Sequence, residues 1–126
     1  MSNLSKYNDI NDDLTMEKII NLLKEQIPEF WKMRTIEDSN EAYVVYGDFA
    51  IWLANQINNK INIEAIKRSC ELIEKLVESG NEEILNLVEI SILEILVDEL
   101  KNHKEAKKYF NKQVSDLLEK VYKRYY

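Results

Sequence analysis

Two glycines and one proline are all the backbone punctuation that 126 residues contain, and that shortage decides the fold class. All-β domains need turn residues about every ten positions. Helices tolerate long uninterrupted stretches, because each backbone N–H is satisfied by a carbonyl four residues back in the same element. The sequence therefore predicts an all-α chain: an irregular antiparallel bundle of about five helices, or a short solenoid-like stack of helical pairs.

Residues 1–14 are mostly Ser, Asn, Asp and Lys without sustained period, and they read as a loosely ordered arm before a single helical domain over 15–126. Thr15 is an N-cap candidate, followed by Met16, Ile19, Ile20, Leu23 and Ile27 at helical spacing. Pro28 ends this helix or opens a short one through Phe30 and Trp31. From Glu41 to about Asn58 a second helix carries Ala42, Tyr46, Phe49, Leu53 and Ile57 on one face. Its start is rich in β-branched and aromatic residues and contains Gly47, which leaves a short strand or a kink open over 42–47.

Asn62 caps a third helix whose apolar stripe is Ile63, Ile66, Cys70, Ile73 and Val77, and Gly80 suits a left-handed C-terminal cap. Asn81 then caps a fourth, in which 11 of the 17 residues from Ile84 to Leu100 are apolar. An apolar arc that wide belongs to a central helix. A fifth runs from about Lys104 to Tyr122, with Ala106, Phe110, Val114, Leu117 and Val121 inward and a basic outer face. The short Ser79–Gly80–Asn81 link forces the third and fourth helices to run antiparallel.

Charge narrows the partners. Residues 1–60, 61–100 and 101–126 carry net charges of -4, -7 and +5. An acidic middle repels phosphate backbones, so nucleic-acid binding would rest on the C-terminal lysines alone, and a nucleic-acid partner is not expected. The longest apolar run, Phe49–Ala54, is six residues against the ~20 that a spanning helix needs. No membrane is expected either. One cysteine and no basic-then-apolar leader point to the cytoplasm.

Chemistry is poorly provided for. His103, the one histidine, falls in a polar stretch and reads as a solvated linker residue or helix-end cation. Cys70 lies on an apolar stripe and reads as a buried thiol. One histidine and one cysteine on different elements serve zinc badly, and no glycine-rich phosphate loop occurs. We expect no catalytic residues, no metal and no cofactor. The expected activity is binding.

Glu37, Asp38, Glu41 and Asp48 flank Tyr43 and Tyr46 and precede Trp52. Aromatic side chains beside acids suit a protein-binding surface, because the rings bury much area at little entropic cost while the acids steer a basic partner. The plainer reading is that Tyr46 and Trp52 fill the core edge. Glu83, Glu94 and Asp98 form a second acidic group on the fourth helix.

The run Tyr43, Val44, Val45, Tyr46, Gly47, Asp48, Phe49, with the later stretch from Ser79 to Glu89 and Leu93–Glu94, resembles a family of small helical immunity-type proteins. These are encoded beside bacterial polymorphic or contact-dependent toxins. The resemblance covers roughly residues 40–122 and implies a cognate immunity role: an acidic surface docks onto a toxin domain, often a basic nuclease, and denies it substrate. The candidate partner-binding residues are Glu37, Asp38, Glu41, Tyr43 and Asp48 first, then Glu83 and Glu94. A regulatory adaptor or another protein inhibitor would use the same surface.

Overall fold

Most of the helices start where the sequence supplies a side-chain oxygen for their first free amides. In the computed structural model, which describes residues 14–35 and 38–126, Thr15 Oγ1 accepts from Lys18 N at 3.2 Å, and Asn62 Oδ1 from Ala65 N at 3.1 Å. Asn81 Oδ1 accepts from Glu83 N and Ile84 N at 2.9 and 3.2 Å, and Asn111 Oδ1 from Val114 N at 2.9 Å. Such caps are each worth about 1 kcal/mol. The described residues form seven helical segments. These are α1 (Met16–Gln26), α2 (Pro28–Trp31), α3 (Ala42–Asn59), α4 (Ile63–Glu78), α5 (82–99), α6 (His103–Ala106, continued by a 3-10 turn over Lys107–Tyr109) and α7 (Lys112–Tyr125).

The bundle is all-α, as expected. Residues 42–47 are helical, so the strand left open there does not occur, and one helix runs on through Gly47. The reason is packing. A Cβ on Gly47 would lie 3.2 Å from Ile95 Cδ1 and 4.0 Å from Ser91 O, so the missing side chain lets α3 lie close against α5. Tyr43 accepts from Asn86 near the start of both helices, and Asn58 bonds the Glu99 carbonyl and the Lys101 amide near their ends, at 2.9 Å in each case. Positions therefore rise together along the two, and α3 and α5 run parallel. Between them in sequence, α4 returns in the opposite sense through links of three residues, 60–62 and 79–81.

Helix α5 is central, with Ile84, Leu87, Val88, Ile92, Leu93, Leu96 and Val97 buried. Its middle, Val88–Leu93, is a π-helical stretch. Helix α1 is tied down by the Tyr46 hydroxyl, which donates to Ile19 O at 2.6 Å. Arg68 on α4 donates to Gln26 O at 2.8 Å and forms a two-pronged ion pair with Glu29 on α2.

Several expectations need correction. The fifth predicted helix is broken: Phe110 is extended (φ -105, ψ 154), and Asn111 starts a new helix. Ile63 on the predicted stripe is 41% exposed, and Leu118 is buried where Leu117 was expected inward. The arm expected over 1–14 lies outside the described residues except for Leu14, which is buried and accepts from Asn81 Nδ2 at 3.2 Å. The C-terminal turn of α3 uses a left-handed Lys60 (φ 50), whereas Gly80 supplies that conformation after α4 (φ 72). No helix of the described residues is long and apolar enough to cross a membrane.

Candidate protein-docking site

Helix α3 presents its wide apolar face to the core, but the unbroken run from Phe49 to Ala54 covers more than a full turn. One of its members has to face outward. That residue is Ile51, 48% exposed. Beside it a groove of about 540 Å³ opens between α2, the segment after it, α3 and the end of α5. Its wall is aromatic: Phe30 and Trp52 lie with ring centroids 5.9 Å apart, and both pack on buried Phe49 at 5.7 and 6.1 Å. Met33, 69% exposed, lines it from the segment after α2.

The charged groups lining the groove are Arg34, Asp38, Asp48 and Glu99. Arg34 is almost wholly covered and donates to Asp48 Oδ2 at 3.0 Å and to Ser39 O. Its guanidinium also lies over the Phe30 and Trp31 rings, 5.8 and 5.4 Å from their centroids. This arginine folds the segment after α2 back onto α3. Asp38 accepts from Thr35 N at 2.7 Å and is exposed. Asp48 thus engages the arginine, Asp38 and Glu99 add two further carboxylates, and the lining is net negative among the described residues.

The candidates named from the sequence divide as follows. Asp38 and Asp48 line the groove. Glu41 is exposed at the position before α3 and makes no side-chain cap. Tyr43 is half-buried and joined to Asn86, one turn beyond Glu83 in α5. Glu94 is half-buried next to Ile95, the residue that meets Gly47. Tyr43, Glu83 and Glu94 therefore sit along the two parallel helices and not in the groove. Glu37 lies outside the described residues. Tyr46 is fully buried and Trp52 nearly so, which makes them core residues with Trp52 as groove wall. Burial pushes the Tyr46 hydroxyl pKa far up, so it stays a donor to Ile19.

Sequence reasoning missed Arg34, Met33, Ile51 and Glu99. The outward member of the Phe49–Ala54 run was the available signal. Nothing local marks an arginine that pairs 14 residues away.

Two further residues differ in their fates. Cys70 is buried as expected, and burial, with Glu74 and Glu71 adding to it, raises its thiol pKa well above the ordinary range. Both effects disfavour the thiolate. His103 is not a solvated linker residue: it opens α6, its ring stacks on Tyr122 at 3.6 Å, and its Nε2 lies 3.4 Å from Glu119 Oε1. Tyr122 in turn stacks on Tyr126 at 5.0 Å. Among the described residues no group of three or more His, Cys, Asp or Glu is placed to hold a metal ion.

Comparison with curated proteins and with solved structures finds no match. The family described as Domain of unknown function (DUF7674) matches residues 20–126, from the second turn of α1 to the end of α7 and including the whole groove; the chain belongs to that family.

Proposed function

We propose that this protein is an immunity protein, which binds a cognate bacterial toxin domain in the cytoplasm and keeps that domain from its substrate. The groove beside α3 is the observation that carries a binding role. It combines an aromatic wall held by packing, exposed apolar side chains at Met33 and Ile51, and an excess of carboxylates. Rigid aromatic surface supplies affinity at low entropic cost. The carboxylates accelerate encounter with a basic partner such as a nuclease domain. The immunity role within that binding class rests on the resemblance of Tyr43–Phe49 and of the Ser79–Glu94 region. Occlusion needs no chemistry from the chain itself, only a surface that stays put.

The test is coexpression. The C-terminal domain of the reading frame immediately upstream is produced in cells with and without this protein. Restored growth together with a stable copurified pair is the expected result; death in both cases removes the immunity reading. A phage operon in place of a toxin-bearing frame would favour the other occupant of this class, a protein inhibitor or adaptor that uses the same surface.

A further inference from the structure

We infer that the groove receives an amphipathic helix of the partner, seated apolar side down, with a lysine or arginine set against Asp38 and Glu99. The inference rests on the protein-binding reading above and adds the chemistry of the occupant.

Shape comes first. Asp48, Ile51, Asn55 and Asn58 line the groove at intervals of three and four residues, one continuous face of α3. That face is about 15 Å long at ~1.5 Å per residue, room for two to three helical turns laid alongside. A peptide that binds by strand addition would need a strand edge, and the described residues contain none. A helix satisfies its own backbone and asks only for apolar contact. Met33 and Ile51 offer that contact beside the Phe30–Trp52 wall, and a methionine adapts to side chains of different shape.

Charge then selects among helices. Arg34, the one cation lining the groove among the described residues, is engaged by Asp48 and by Ser39 O. Asp38 and Glu99 are exposed carboxylates, and no cation of the groove answers them. An acidic helix would meet uncompensated repulsion, whereas a basic one would supply the missing charge. The Glu99 end is fixed in place because Asn58 bonds the Glu99 carbonyl and the Lys101 amide, both at 2.9 Å.

The experiment pans a displayed library of helical peptides, each about 14 residues long, on the full chain, with counter-selection on an Ile51→Asp variant. Enriched peptides should carry two apolar residues three or four apart beside a lysine or arginine. They should bind the Ile51→Asp variant ~10-fold or more weakly, and a Glu99→Lys variant should shift the enriched set away from basic sequences. Ile51 and Met33 are both exposed, so Met33→Asp gives the same reading from the segment after α2 if Ile51→Asp fails to fold. Enrichment of acidic peptides, equal binding to both groove variants, or no groove-dependent binder at all would overturn the inference. If coexpression restores growth and the Ile51→Asp variant protects equally well, immunity stands and the groove does not. If groove-dependent basic helices are found but no toxin is neutralised, the reverse holds.

Discussion

The α3–α5 seam and the α6–α7 cover lie on the same core and are secured differently. The seam joins two helices with fully buried residues, Phe49 and Leu53 on α3 and Ile92 and Leu96 on α5; at the seam itself Ile95 lies against Gly47, and the hydrogen bonds between side chains of one helix and groups of the other sit at its two ends. The cover also buries a line of side chains, Ala106, Val114, Leu118 and Val121. Its short elements, however, depend on polar groups. Asn102 caps α6 and Asn111 caps α7, Glu74 accepts the Asn111 amide at 2.7 Å, and Lys107 pairs with Glu119 at 2.8 Å. Short helices do not sustain themselves. The seam should therefore respond to changes of volume, and the cover to changes of cap and charge.

The largest expected effect lies in the aromatic packing of α3 on α2. Phe49→Ala removes a fully buried ring that touches Phe30, Tyr46 and Trp52, and should cost about 3–5 kcal/mol in denaturant unfolding. Next comes Gly47→Leu, which forces a side chain into the space of Ile95 and should cost about 2 kcal/mol; an unchanged melting temperature would show that α3 and α5 are looser than described. In the cover, Asn111→Ala should cost about 1 kcal/mol. Hydrogen exchange should then rise across α7 while α3 and α5 keep their protection. A uniform rise would break the distinction between the two regions.

The smallest effect is electrostatic. The hydrogen bond from Lys107 holds the Glu119 carboxyl below its ordinary pKa of 4.5. A depressed carboxylate pKa stabilises the fold above the unfolded value and loses that contribution as pH falls through the folded one. Wild type should therefore melt slightly above Glu119→Gln near neutral pH, and the gap should close in acid below about pH 4. A gap that persisted in acid would mean that Glu119 acts through packing.

Much of this architecture is legible in the sequence because caps and apolar period are local signals. Thr15, Asn62, Asn81 and Gly80 all do what their residue types suggest. The break before α7 was hidden because the period of Ala106, Phe110 and Val114 continues through it, although Phe110 is extended. Its signal was Asn111, a cap residue inside an apparently unbroken stripe. Lys60 has no such signal, since the left-handed turn there falls on a residue that rarely adopts it. At the candidate site, Asp38 and Asp48 were legible as acids beside aromatics. That they line one groove, and that Asp48 pairs with a covered Arg34, depends on contacts that only tertiary structure supplies. Glu83 and Glu94 were grouped by helical phase alone, and the π stretch between them alters that phase.

That stretch has one more consequence. A π turn holds one residue more than the α turn it replaces, and each residue of a regular helix advances the phase by about 100°. Deleting a single residue from Val88–Leu93 would turn the wide turn into an α turn and leave everything from Glu94 onward in nearly the same phase, so that Leu96 and Val97 stay buried and the Glu99 carbonyl stays near Asn58. Chain length at this point is thus a looser constraint than elsewhere in the bundle: a one-residue gap here removes only the wide turn, whereas the same gap within α4 would rotate the rest of that helix by about 100°.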